Sequence, residues 1–175
     1  MRPEVKPAHW RQKIHLEKFQ AWREWAMVKK GKPTSKKQPR MYEVAAVYAA
    51  QLLAGKLITD PELAWQQATR ALIQSTASRV KTCPMMTFRV LGDLGLIHGG
   101  PPAKEQIKPA LNNDYTVTAI QILQARPELA MAPKSLWTET LISLQLPPNK
   151  KHNEQMTVIC ALWNKGLIAG SPAQA

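Results

Sequence analysis

LGDLGLIHGG (residues 91–100) and LWNKGLIAGS (residues 162–171) say nearly the same thing 71 positions apart. Ten residues match cheaply by chance, so the reading depends on how far the likeness extends. Shifted by 71, Met85 falls on Met156, Phe88 on Ile159, Leu91 on Leu162 and Gly95 on Gly166. Upstream the offset drifts to 72, where Trp65 meets Trp137 and Leu72 meets Leu144. At 73, Tyr42, Val44, Ala46 and Val47 meet Tyr115, Val117, Ala119 and Ile120. Drifts of one or two residues are what altered loop lengths leave between similar helices. The chain therefore reads as two copies of one helical unit, 41–100 and 114–171, joined by a linker at 101–113.

Each copy reads as three helices, and the predicted fold is all-α. The first helix runs from Met41 to Ala54, with Val44, Val47 and Leu52 inward and Gly55 as its stop. Its counterpart starts after Asn113, a good N-cap, with Val117, Ile120 and Leu123 inward. The second helix opens at TDPE, where Thr59 or Asp60 caps and Pro61 takes the first turn. Trp65, Ala68 and Leu72 follow at helical spacing, as Trp137, Leu141 and Leu144 do after Pro133. The third helices start after Thr82 and Asn153 as expected caps, and end at Gly95 and Gly166, which supply a left-handed stop. On this reading the repeated decapeptides close two similar cores. The arrangement is helix-turn-helix-like, and the GLI segments leave room for a short wing.

At 175 residues and 45% hydrophobic content the chain can bury a core. No apolar run approaches the roughly 20 residues of a membrane span. The N-terminus has no apolar secretory segment, so a cytoplasmic setting is expected. Cys83 and Cys160 form no disulfide framework and read as buried thiols.

Charge is unevenly placed. Residues 1–40 hold 12 Lys/Arg against 3 Asp/Glu, and the remaining 135 hold 12 against 9. Three quarters of the net +12 thus lies on an N-terminal arm, which points to an acidic partner, nucleic acid (DNA or RNA) first. Residues 9–30 predict a basic helix with Trp10, Ile14, Trp22, Trp25 and Val28 on one broad side. Residues 29–40 form a linker broken by Gly31, Pro33 and Pro39. Three readings of the arm stand side by side. Its aromatic side packs on the repeats, or Lys29, Lys30, Lys32, Lys36, Lys37 and Arg40 contact phosphates, or Trp10, Trp22 and Trp25 anchor a protein partner or an anionic surface.

The starts of the third helices are also basic, with Arg79 and Lys81 in one copy and Lys150, Lys151 and His152 in the other. Free backbone N–H groups and the helix dipole make such starts plausible phosphate sites. Basic loops are also ordinary, and Glu154 sits inside the second candidate site. Enzyme chemistry finds little support. His9, His15, His98 and His152 lack ligand spacing, and neither a phosphate-binding loop nor a nucleophile elbow occurs. No catalytic residue, metal or cofactor is predicted.

AWQQAT (64–69), CPMMTF (83–88), GLI (95–97), LW (136–137) and KHNEQMTVICALWNKGLI (151–168) resemble an uncharacterised bacterial family, a domain of unknown function met in integron gene cassettes and other mobile DNA. The likeness covers 41–170. It implies an all-helical fold and a mobile-element setting, and it brings no activity. The expectation is a non-catalytic nucleic-acid-binding or regulatory protein of a mobile element. The alternative is an adaptor or inhibitor that docks on a larger defence, counter-defence or plasmid-transfer complex through the Trp-rich arm.

Overall fold

The first helix of the structure, α1 (Met41–Ala54), buries a different face from the one its branched residues suggest. Val44 and Val47 are only half-buried, whereas Ala45, Ala46, Ala49 and Ala50 are fully enclosed. Small side chains let neighbouring backbones come close, so this face sits deepest between two other helices and the valines flank it. The structure is a computed structural model, and it describes residues 41–106 and 110–171. The expected basic helix at 9–30 and its linker lie outside the described residues.

After α1 come α2 (Pro61–Leu72), a single turn α3 (Thr76–Arg79) and α4 (Thr82–Asp93). The second copy supplies α5 (Leu111–Ala125), a 3-10 turn (Pro127–Met131), α6 (Pro133–Ser143) and α7 (Gln155–Asn164). Asp60 caps α2 as expected, its Oδ1 accepting from the Leu63 N–H at 2.8 Å, with Pro61 in the first turn. Three other expected caps shift. Lys81 precedes α4 and Thr82 lies within it, while Ala110 precedes α5 and puts Asn113 in the first turn. At α7 the preceding residue is Glu154, in the left-handed region at φ 69°. There the capping group is His152, whose Nε2 accepts from the Met156 N–H at 3.1 Å. The Asn153 N–H instead donates to Gln155 Oε1 at 2.7 Å.

Both quoted decapeptides stop their helices in the same way. Gly95 (φ 67°) and Gly166 (φ 63°) turn the chain left-handed. The Leu96 N–H then returns to the Leu91 carbonyl, and the Leu167 N–H to the Leu162 carbonyl, each at 2.9 Å. The GLI segments do not form separate wings. Ile97 and Ile168 meet each other in an antiparallel bridge. Its two bonds are reciprocal, His98 N–H to Leu167 O at 2.9 Å and Ala169 N–H to Leu96 O at 2.8 Å. Equivalent residues exchanging equivalent bonds is the pattern of a local twofold relation.

Packing follows the same symmetry. α1 lies on α2 of its own copy and on α7 of the other, while α5 lies on α6 and on α4. The third helices α4 and α7 also touch. The expectation of two similar cores is therefore corrected. One cluster, from Ala45 and Trp65 through Phe88 and Leu91 to Leu123, Trp137, Ile159 and Ile168, serves both copies. Among the described residues the fold is all-α, with that bridge as its only extended pairing. No described helix is long and apolar enough to cross a membrane.

Candidate functional site

Each copy places a tyrosine from its first helix against a tryptophan from its second. Tyr42 stacks on Trp65 with centroids 6.3 Å apart, and Trp65 also meets Phe88 at 5.5 Å. Tyr115 meets Trp137 edge-on at 4.9 Å, and Trp137 meets the His152 ring at 5.9 Å. Over each tyrosine lies a lysine from the segment that leads into the third helix. Lys81 Nζ is 5.6 Å from the Tyr42 centroid, and Lys150 Nζ is 5.8 Å from that of Tyr115. The negative ring face attracts the ammonium group and fixes its position. Lys150 Nζ also donates to the Tyr115 hydroxyl at 3.1 Å.

Two of the predicted basic residues thus occupy equivalent places, each on an aromatic pair. The others are used differently. Arg79 clips its own loop: Nε donates to the Ile73 carbonyl and Nη2 to that of Gln74 at 3.0 Å. Lys151 is exposed, and His152 is the cap of α7. Lys29, Lys30, Lys32, Lys36, Lys37 and Arg40, with Trp10, Trp22 and Trp25, lie outside the described residues.

The two clusters differ in their polar detail. Trp137 Nε1 donates to the Lys150 carbonyl at 2.8 Å, whereas the buried Trp65 Nε1 has no partner among the described residues. The loop before the third helix differs too: in the first copy it folds into α3 and gives Tyr42 a carbonyl, that of Ser78, to donate to at 2.8 Å. Burial raises the pKa of the Tyr42 hydroxyl, a rise that the Ser78 bond opposes and the negative charge of Glu154 reinforces. Glu154 belongs to the other copy, so this end of the first cluster borders the start of α7.

A second polar feature escaped the sequence reading. Asp60, Glu62, Arg89, Asp93, Lys104, Gln106 and Asn113 line a cavity of about 270 Å³. Four of its charged groups pair with one another, Lys104 to Asp93 at 2.6 Å and Arg89 to Glu62 at 3.5 Å and to Asp93 at 3.9 Å. The only forewarning was the i, i+4 spacing of Arg89 and Asp93. Of the thiols, Cys83 is half-buried and Cys160 is buried. Burial, with Glu43 adding to it, pushes the Cys160 thiol up to about 12.

Residues 36–169, spanning both copies and the segment joining them, match a family described as a family of unknown function, DUF6979. The chain belongs to this family. The DUF6979 match takes in Tyr42, Trp65, Lys81 and their counterparts, and it leaves out residues 1–35 with the three arm tryptophans. No curated protein and no solved structure matches the chain.

Proposed function

We propose that the chain is a non-catalytic nucleic-acid-binding or regulatory protein of a bacterial mobile element, acting in the cytoplasm. The observation that carries this reading is the recurrence of a ring-held lysine, Lys81 and Lys150, in the segments that lead into the two third helices. An ammonium group so placed keeps N–H donors for an anion, and Lys81 directly precedes the first turn of α4. The charge distribution supports it, since residues 1–40 carry most of the net +12. In this reading Lys29, Lys30, Lys32, Lys36, Lys37 and Arg40 supply electrostatic affinity. Lys81 and Lys150, with Lys151 beside them, add phosphate contacts at fixed places. Arg79 and His152, engaged within the fold, contribute less. The mobile-element setting rests on the motif resemblance.

The test is a salt series of binding to duplex DNA, single-stranded DNA and RNA. Six to ten phosphate contacts imply a loss of roughly three to five decades in affinity between 50 and 200 mM salt. Changing Lys29, Lys30, Lys36 and Lys37 together to Glu should abolish most of that binding. Unchanged binding by this variant ends the arm's role. A shallow salt response favours the second reading, a protein-binding adaptor or inhibitor. That reading draws on the placement of three of the six tryptophans in the first 40 residues.

A further inference from the structure

We infer that the chain exchanges its repeats with a second copy of itself when its connecting segment is shortened or its concentration is high, so that α1 of one copy packs on α7 of the other. The contact between the repeats is built from equivalent positions on both sides, with Ile97 against Ile168 and reciprocal bonds about them. Such an isologous contact is what a twofold dimer uses. Neither repeat encloses its own core, because the alanine face of α1 is completed by α7 and the inner face of α5 by α4. No disulfide ties the repeats together, since Cys83 and Cys160 are both free. One covalent connection therefore joins them, and every other contact between them forms equally well between two chains.

That connection has little slack on its first side. Ala103 lies against Gly95, where an added Cβ would come within 2.7 Å of the Ala103 nitrogen. The Lys104 N–H donates to the Asp93 carbonyl at 2.8 Å, and Lys104 Nζ pairs with the Asp93 carboxylate. Only residues 105–110 then remain to reach α5 at Leu111. Because closed and exchanged forms share their contacts, the balance is set by this segment. With its full length, the tethered repeat competes at an effective concentration on the order of millimolar and the closed monomer wins in dilute solution. Removing four residues shortens its reach by roughly 13 Å and turns the balance to the dimer.

The experiment deletes residues 105–108 in the full chain and measures mass in solution. Its readout for exchange is a disulfide from Ile97→Cys with Ile168→Cys, in a background of Cys83→Ala and Cys160→Ala. The paired positions are of the non-hydrogen-bonded type, with Cα atoms about 4.5 Å apart, within disulfide range. The expected result is a dimer that becomes covalent through this link, whereas the undeleted chain at micromolar concentration links within itself. A folded monomer, or a dimer linked only within each chain, overturns the inference. Should the deletion fail to fold, the undeleted cysteine pair is refolded at about 1 µM and about 1 mM. A covalent dimer that grows with concentration supports exchange, and monomer at both concentrations overturns it.

Discussion

Ile97 and Ile168 face each other across the antiparallel bridge, each buried and each the residue after a Gly-Leu helix stop. The pair is the only place where the two repeats join backbone to backbone among the described residues, and its side chains belong to the core that both repeats share. Ile97→Ala and Ile168→Ala should each cost about 2–5 kcal/mol in denaturant unfolding. Residues in direct contact do not act independently, so the double variant should lose less than the sum, by about 0.5–3 kcal/mol. Strict additivity would mean that the two chains of contacts are separate.

The indole groups offer a matched comparison. Trp137→Phe removes a hydrogen bond to the Lys150 carbonyl, whereas Trp65→Phe removes a buried donor with no partner among the described residues. Both lose similar volume. The second-copy variant should therefore be the more destabilised, by about 1–3 kcal/mol, since it also leaves a carbonyl unpaired. Equal losses in a thermal or denaturant titration would show that Trp65 Nε1 is satisfied.

Gly92 sits inside α4, where alanine would ordinarily gain about 0.8–1 kcal/mol of helix propensity. Here an added Cβ would fall 2.4 Å from Pro61 Cγ and 2.7 Å from Pro61 Cβ, at the start of α2. A rigid ring cannot swing aside, so overpacking of about 1–3 kcal/mol should outweigh the gain. Gly92→Ala is expected to lower the unfolding midpoint, and a raised midpoint would place α2 farther from α4.

Cys160 predicts an alkaline weakness. Its folded thiol is pushed up to about 12 by burial from an ordinary 9.0. Between those values the unfolded chain has released a proton that the folded chain keeps, so rising pH favours unfolding. The contribution is fully present below about pH 9 and is lost as pH rises through about 12. Tyr42 and Tyr48, raised mainly by burial, act in the same direction. Cys160→Ala should flatten the decline in stability over this range. At pH 8 a thiol reagent should modify the half-buried Cys83 well before Cys160, and equal rates would contradict the packing around α7.

The sequence carried the repeat itself, because glycine at a left-handed helix stop and tryptophan at helical spacing are local signals. The inner face of α1 was misread through its valines. Four alanines are a weak hydrophobic signal alone, and the approach of α2 and α7 together makes them the deepest residues. Caps at Thr82, Asn113 and Asn153 were misplaced because residue type names a suitable cap without fixing the turn. His152 took that role at α7 because its ring, resting edge-on against Trp137, points its nitrogen at the Met156 N–H. Lys81 and Lys150 were singled out as basic, but their tyrosines lie 39 and 35 residues earlier. No spacing rule joins residues that far apart. The pairing of the GLI segments with each other was equally hidden, since it depends on the crossing of two distant helices.

The embrace of α1 by α7 also sets an order in time. A chain emerging from the ribosome completes α1 about 100 residues before α7 begins. At synthesis rates of roughly 5–20 residues per second, the alanine face waits about 5–20 s for its cover. During that interval α2 alone covers it, and productive closure belongs to the last helix made.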